Sequence, residues 1–135
     1  MAEASIVAGV AFSHPRTTGS HACSFPLTNI YGLPHGEACA FTLDYFLKFN
    51  AEHADGDGRI TALAKDCGFN DAFEMADEIT AMKKRMGMRC TLSEIGCETD
   101  EQIDELTKKS MSMLMTRNPI TLTQKDIKEM YIKLK

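Results

Sequence analysis

The chain has 135 residues, 44% of them hydrophobic, and a formal net charge of −4 at pH 7. This length and composition are ordinary for one globular domain with a single core, and they exclude a disordered or fibrous protein. The basic residues are spread thinly, so we expect neither a nucleic-acid partner nor an anionic membrane partner. No apolar run approaches the roughly 20 residues needed to cross a bilayer, which predicts a soluble protein.

The cysteines and the single basic run add two expectations. Five cysteines form no Cys-x-x-Cys pair, and no signal peptide opens the chain, so we expect a reduced, cytoplasmic compartment. The only basic run, Lys83-Lys84-Arg85, lies on a predicted helix whose first turns are acidic. We interpret it as a solvated helical face.

The apolar residues follow a helical period along the chain, and no segment alternates for long enough to predict a strand. We therefore expect an all-α fold of about seven helices in one domain, residues 1–135. The first helix, residues 2–12, is small and apolar on most sides, and it is expected to be buried against neighbouring helices. The other predicted helices cover 17–31, 35–49 and 60–67, a stretch capped by Asn70 or Asp71, a stretch from Thr99 to the stop at Asn118-Pro119, and a last helix from Thr123 through Tyr131.

Several residues predict where these helices begin and end. Pro26 is expected to break or kink the second helix, and Gly32-Leu33-Pro34 to end it. Thr99 and Gln102 have the spacing of a capping box. Residues 50–58 are predicted to form a loop.

Residues 53–60, HADGDGRI, look like a calcium-binding helix-loop-helix segment. In that register His53 takes the first loop position and Ala64 the twelfth, so the first carboxylate and the final bidentate carboxylate are both missing. We therefore reject calcium and interpret the segment as a polar loop. His14 and His53, near helix ends, are interpreted as surface residues.

His21 and His35 are candidate metal ligands. They lie fourteen residues apart, which on one continuous helix is roughly 21 Å, so a shared ion requires the chain to double back between them. Two imidazoles suit iron, zinc or nickel, but two protein ligands are too few for a tight site. From these residues alone, two histidines beside the core are an equally good interpretation.

A structural zinc site formed by His21, Cys23, His35 and Cys39 is an alternative. His35 and Cys39 are one helical turn apart and can face one point, whereas His21 and Cys23 point to different faces. The spacing matches no common structural zinc framework. Buried cysteines usually behave as small apolar residues, which is the preferred interpretation here.

The histidine pair lies within a pattern that resembles the signature of the iron-containing (group III) alcohol dehydrogenases. The resemblance rests on GSHA at 19–22 and YGLPHGEA at 31–38, and it extends to residues 4–9, 92–96 and 118–127, so it covers essentially the whole chain. It implies the all-helical C-terminal domain of the iron-containing alcohol dehydrogenase and dehydroquinate synthase-like fold.

The resemblance also implies a catalytic metal, iron or alternatively zinc, held by an aspartate and three histidines, with His21 and His35 as the last two ligands. The aspartate, the other histidine and a domain binding NAD or NADP would precede Met1. We therefore expect an N-terminally truncated enzyme with no cofactor-binding residue of its own. Its expected partners are the missing N-terminal domain and a small alcohol or aldehyde, with a homodimer as the intact enzyme.

Two positions near His21 bear on the reaction. Many family members carry an active-site histidine one turn after the first ligand, and this chain has Phe25 there, so a hydroxyl group or water would have to move the proton. The residues around His21 are most similar to the branch containing phosphonoacetaldehyde reductases. In that branch Arg16 would face an anionic substrate group; an exposed arginine with no such role is the alternative.

Two functions are therefore weighed. The first is the C-terminal part of an NAD(P)-dependent alcohol dehydrogenase, inactive by itself. The second is a self-contained helical zinc-binding or interaction module. A module would retain nearly stoichiometric zinc and unfold cooperatively, whereas part of an enzyme would bind metal weakly and expose the apolar surface of its first helix.

Overall fold

In the computed structural model, which describes residues 1–135, the chain forms eight α-helices and no β-strand. The all-α prediction is confirmed. The count exceeds the expected seven because the predicted helix 35–49 is divided at Thr42, whose backbone (φ −109°, ψ 3°) is not helical. The helices are α1 (Ala2–Ser13), α2 (Gly19–Tyr31), α3 (His35–Phe41), α4 (Leu43–Ala54), α5 (Arg59–Asp66), α6 (Ala72–Arg85), α7 (Asp100–Ser110) and α8 (Gln124–Lys133), with short 3-10 turns at Ser93–Ile95 and Met113–Arg117.

The predicted capping residues explain several helix ends. The Thr99 side chain accepts a hydrogen bond from the Gln102 amide, and the Gln102 side chain accepts one from the Thr99 amide, which confirms the capping box. Thr123 and Asp126 form a second capping box at α8. In both helices the backbone amides of the two capping residues therefore have side-chain hydrogen-bond partners. Gly32 ends α2 in the left-handed conformation (φ +69°), which glycine adopts without steric cost.

Of the two expectations for Pro26, a break or a kink, the break is wrong. The helix continues to Tyr31, and the chain reverses only at residues 32–34. Pro26 and its neighbours Ala22, Cys23 and Leu27 are buried, so the packing of this face outweighs the one backbone hydrogen bond that proline forfeits. The reversal at Gly32 therefore decides how α3 returns along α2.

The core lies between α2, α3, α7 and α8. Its largest fully buried side chain is Tyr131 of α8, whose hydroxyl lies 2.7 Å from the Ser110 hydroxyl of α7. Ser110 also donates a hydrogen bond to the Leu106 carbonyl, so the Tyr131 hydroxyl donates to Ser110 and both buried hydroxyls are hydrogen-bonded. Helices α4 and α6 pack against each other beside this core. The other large buried core residues are Leu27, Leu33, Phe41, Leu92, Ile103, Leu106, Met115, Ile127 and Met130.

The basic run 83–85 is not wholly a solvated face, which corrects the sequence-based interpretation. Lys83 is only 3% exposed, and its ammonium lies 2.7 Å from a carboxylate oxygen of Asp44 in α4. It also donates a hydrogen bond to the Phe41 carbonyl, and Thr80 donates to the second Asp44 oxygen. The packing of α6 on α4 places this one lysine against an acidic partner, which a linear charge pattern cannot indicate.

Helix α1 has no buried residue, so the expectation that it packs against neighbouring helices is wrong for the residues present. Four large apolar side chains are more than half exposed: Ile6, Val7, Val10 and Phe12. The predicted loop 50–58 is also shorter than expected, because α4 continues to Ala54. No helix of the chain has the length and hydrophobicity required to cross a membrane.

Candidate metal centre

His21 and His35 lie side by side in the folded chain. His21 is in the first turn of α2 and His35 is the first residue of α3, and the reversal at residues 32–34 brings the two helices together. Their ring centroids are 4.9 Å apart and the rings are nearly perpendicular. The doubling back that the spacing required is therefore present, and the two imidazoles can approach one ion.

Cys39 joins the histidine pair. Its sulfur lies 3.5 Å from His21 Nδ1 and 3.6 Å from His35 Nε2, and the three potential ligand atoms lie within 4.8 Å of one another. Its spacing of one helical turn after His35 was the signal in the sequence. The three residues are hereafter called the histidine–cysteine cluster.

Cys23 lies elsewhere, and the four-residue zinc set is therefore wrong. Its side chain is fully buried in the core beside Ser110 and Tyr131. Burial raises the pKa of the Cys23 thiol to about 11, so the thiolate that a metal requires is disfavoured. The preferred interpretation of Cys23 as a small apolar core residue agrees with this burial.

The donor chemistry of the histidine–cysteine cluster fits a divalent transition metal. Burial and the nearby His35 lower the pKa of His21, which keeps that imidazole neutral with a lone pair available. Ser24 donates a hydrogen bond to the His21 carbonyl at 2.7 Å, and its oxygen lies 3.4 Å from His35 Nδ1. A proton on His35 Nδ1 facing Ser24 leaves Nε2 free toward Cys39, the kind of support that metal-bound histidines commonly have.

Glu37 is not available as a carboxylate ligand, although it lies close to His35 in sequence. Both of its oxygens are bound by Arg89, at 2.9 Å from Nε and 2.8 Å from Nη2, and the Arg89 amide donates to the same group. These hydrogen bonds to Arg89 lower the pKa of Glu37 to about 2. The pair instead ties the start of α3 to the segment after α6.

Phe25 covers one side of the histidine pair. Its ring centroid lies 5.1 Å from that of His21, edge to face, and 6.1 Å from that of His35. The side chain is 45% exposed, so it forms part of the surface beside the two imidazoles and not part of the core. A phenyl ring cannot transfer a proton, so Phe25 cannot replace the active-site histidine that many family members carry at this position.

Arg16 lies on the wall of an open cavity of about 490 Å³ that also includes His21 and Phe25. Its φ of +68° makes it the only non-glycine residue of the chain in the left-handed region. Arg117, from the 3-10 turn Met113–Arg117, lines the same cavity. Nothing in the sequence pointed to Arg117, because a contact between segments 100 residues apart has no local signature.

The calcium-like segment has a structural role. Asp55 accepts hydrogen bonds from the Ile60 and Thr61 amides and from the Thr61 hydroxyl, so its carboxylate caps the start of α5. Because these hydrogen bonds already use the Asp55 carboxylate, the structure is consistent with the rejection of a calcium site in this loop. His53 lies with its ring stacked on Phe49 at 4.4 Å between centroids.

The helical architecture and the paired histidines agree with one class of protein: the chain belongs to the Fe-containing alcohol dehydrogenase family, C-terminal part. The family model matches residues 1–134. The resemblance that the histidine motif indicated is thereby confirmed.

The relatives are alcohol dehydrogenases and reductases. An alcohol dehydrogenase of Thermococcus barophilus is 30% identical over 131 residues, which are 95% of this chain and 34% of that protein. Long-chain-alcohol dehydrogenase 1 of Geobacillus thermodenitrificans is 26% identical over 97% of this chain and 35% of its own length. The chain thus spans about a third of the length of these relatives.

A solved structure agrees still more closely. The sulfoacetaldehyde reductase of Bifidobacterium kashiwanohense, in complex with NAD+, superposes with a TM-score of 0.91 and 48% sequence identity. The match covers 98% of this chain and 34% of that reductase. The fold is therefore that of the helical C-terminal domain of this family.

Proposed function

We propose that the chain forms the metal-binding and substrate-facing part of an NAD(P)-dependent oxidoreductase that interconverts an alcohol and an aldehyde or ketone. The observation that carries this proposal is the approach of His21 and His35 to 4.9 Å between ring centroids in a domain of this family. The relatives that are alcohol dehydrogenases, and the sulfoacetaldehyde reductase with NAD+, support the reaction class and the nicotinamide cofactor.

His21 and His35 would hold a divalent metal, iron by the family description and zinc as the alternative. When bound, such an ion acts as a Lewis acid toward the carbonyl oxygen, and a nicotinamide provides or accepts the hydride. His21 Nδ1 or Nε2 and His35 Nε2 would supply the nitrogen ligands. An aspartate and a further histidine from outside this chain would complete the ligand set.

The residues around the pair would orient the substrate and exclude water. Phe25 shields one face of His21, and Arg16 lies on the wall of the shared cavity. Because Phe25 cannot transfer a proton, we assign proton delivery to the carbonyl oxygen to water or a hydroxyl group; Ser13 and Thr17 line the cavity and can hold such a water.

The nicotinamide site lies outside this chain in our proposal. The chain spans about a third of its relatives, and α1 exposes Ile6, Val7, Val10 and Phe12. We therefore infer a nucleotide-binding domain as partner. The five free cysteines support a cytoplasmic location, and a homodimer as the intact enzyme completes the proposal. By itself the chain would be inactive and would bind no nicotinamide.

A chimera tests this proposal. The part of the Bifidobacterium kashiwanohense reductase that precedes its matched region would be fused to this chain, and aldehyde-dependent oxidation of NADH or NADPH would be followed by absorbance. We expect metal-dependent turnover that is absent from either part alone. A chimera that folds, binds NAD+ and reduces no aldehyde would contradict the proposal.

Cys39 favours the second candidate function, a self-contained zinc-binding module, because it adds a third potential ligand to the pair. The full chain without any partner would then retain one zinc per chain through dialysis and unfold cooperatively. Weak or substoichiometric zinc is expected from the enzyme proposal. Tight binding of one zinc per chain would overturn the enzyme proposal in favour of the zinc-binding module.

A further inference from the structure

Cys39 differs from the other cysteines of the chain in what surrounds its sulfur. The thiol lies against two imidazoles, and it is only partly buried beside the exposed His35, so an ion in solution can reach all three ligand atoms. The other four cysteines lie in no group of potential metal ligands: Cys23, Cys67, Cys90 and Cys97. The contact of a thiol with the histidine pair is therefore specific to residue 39.

The distances around the Cys39 sulfur match those between two ligands of one tetrahedral ion. The sulfur lies 3.5 Å from His21 Nδ1 and 3.6 Å from His35 Nε2. With zinc–nitrogen bonds of about 2.05 Å and zinc–sulfur bonds of about 2.3 Å, a nitrogen and a sulfur at the tetrahedral angle are about 3.6 Å apart. Little movement of the three side chains is therefore needed for them to bind one ion.

A hydrogen bond from the thiol accounts for only one of the two contacts. The Ser24 oxygen faces His35 Nδ1, so a proton on that nitrogen leaves the lone pair of Nε2 toward the sulfur. The Cys39 thiol has one proton and can donate it to one of the two imidazoles. A metal ion, by contrast, accepts an electron pair from each of the three atoms.

The sulfur also affects which ion the histidine–cysteine cluster prefers. Thiolate ligands favour zinc and softer ions, imidazole suits zinc and iron alike, and carboxylate or water suits harder ions. A thiolate beside two imidazoles therefore shifts the preference of the cluster toward zinc. The family as a whole is described by iron, so Cys39 distinguishes this chain from that description.

We propose that Cys39 binds the ion together with His21 and His35 and makes the site select zinc over iron(II). This inference rests on the proposed function and names the residue that sets the metal preference of its site. The thiol binds as the thiolate, and its proton passes to solvent when the ion binds. Because two further ligands of the proposed enzyme lie outside this chain, we expect the chain by itself to lose zinc during dialysis.

Cobalt(II) absorbance tests the sulfur ligand directly. Cobalt bound to a thiolate gives an intense near-ultraviolet charge-transfer band, and cobalt bound to a serine oxygen does not. The full chain, reduced and freed of metal, would be titrated with cobalt(II) without oxygen. We expect a band that saturates at about one cobalt per chain, that is absent from Cys39→Ser and that is unchanged in Cys67→Ser. Cys67 is the matched control, because it is an exposed free cysteine outside the cluster.

Calorimetric titration with zinc and with iron(II) tests the selectivity. The dissociation constant for iron(II) divided by that for zinc should fall by about 10- to 100-fold in Cys39→Ser, since loss of a group that only supports a metal ligand already costs as much. The same ratio should change by less than about twofold in Cys67→Ser. Cys39→Asp replaces the sulfur by a harder carboxylate oxygen and should bind an ion with its preference shifted toward iron(II).

Three results would overturn the sulfur ligand: no saturable cobalt band from the folded chain, the same band from Cys39→Ser, or a zinc preference that the serine variant retains. Circular dichroism of each variant establishes that the helices are intact. A charge-transfer band together with a chimera that reduces no aldehyde supports the sulfur ligand and contradicts the proposed function. Turnover by a chimera whose zinc preference survives Cys39→Ser supports the proposed function and contradicts the sulfur ligand.

Discussion

The two groups of charged residues in this domain differ in what surrounds them. Lys83 is buried between α6 and α4, with Asp44 at 2.7 Å and the Phe41 carbonyl as a second acceptor. Arg16 and Arg117 are exposed to an open cavity and have no carboxylate partner within the chain. The buried cation is paired with a carboxylate of the protein itself, whereas the cavity cations are not.

This difference separates a charge that stabilises the fold from charges that the fold leaves unpaired. A buried charge must be paired within the chain, because an unpaired one is strongly unfavourable. A charge at an open cavity has no such requirement, because water solvates it. Removing Lys83 should therefore affect stability, while removing an exposed residue of the histidine pair should affect function and leave the fold intact.

The largest effect is expected at the histidine pair. In the chimera, His35→Ala should lower kcat/KM by at least about 1000-fold, since loss of one metal ligand removes several kcal/mol of Lewis-acid stabilisation. Because His35 is exposed, the free energy of unfolding should change by less than about 1 kcal/mol. Turnover and bound metal would be measured together. His14→Ala, an exposed histidine outside the cluster, is the control, and equal turnover in both variants would contradict the assignment.

The largest effect on stability is expected at Lys83. Lys83→Ala leaves Asp44 buried without its cation and should lower the free energy of unfolding by about 3 kcal/mol. Its neighbour Lys84 is exposed and makes no ion pair, so Lys84→Ala should change it by less than about 0.5 kcal/mol. Urea unfolding of the full chain measures both. Similar values for the two variants would show that the buried pair does not stabilise the fold.

A smaller, pH-dependent effect is expected at Glu37. Arg89 holds the pKa of Glu37 at about 2, below the ordinary value of 4.5, so the ionised group stabilises the fold above about pH 4.5. This stabilisation is lost as the pH falls toward 2. The Glu37 side chain is 16% exposed, so we expect Glu37→Gln to cost about 1–2 kcal/mol at pH 7 and almost nothing near pH 2.

Thermal or urea unfolding across that pH range checks the Glu37 prediction. Glu98→Gln is the control, because Glu98 is exposed and makes no ion pair. A cost of Glu37→Gln that does not shrink in acid would mean that the Arg89 pair is not its origin.

The smallest effect is expected at the cap of α8. Thr123→Ala removes the side-chain acceptor for the Asp126 amide and should lower the free energy of unfolding by about 1 kcal/mol. Thr121→Ala, two residues earlier at an exposed position, should change the free energy of unfolding by no more than about a few tenths of a kcal/mol. Equal costs at the two threonines would argue against the capping box.

The sequence predicted the local features of this domain well. The helical period, the Thr99–Gln102 capping box and the glycine stop at Gly32 each depend on residues within a few positions, so they can be identified without a structure. The division at Thr42 and the continuation of α2 through Pro26 could not, because packing against other helices decides whether a weak local signal takes effect.

The site was predicted in part. His21 and His35 carry a motif, and Cys39 follows His35 at one helical turn, but the alternative zinc set predicted from the sequence included Cys23 as well as Cys39. The structure buries Cys23 in the core and places Cys39 at the pair. Arg117 had no signal, because only the packing of its 3-10 turn on α2 places it beside Arg16.

The sequence by itself determined the all-α class, most helix ends and the family, since these depend on periodicity, capping residues and a short motif. The tertiary structure alone decided which charges are paired inside the chain and which face a cavity: Lys83 pairs with Asp44, while Arg16 and Arg117 line the cavity without a carboxylate partner. The physical reason is that pairing and burial depend on contacts between distant segments, and no local sequence pattern predicts those contacts.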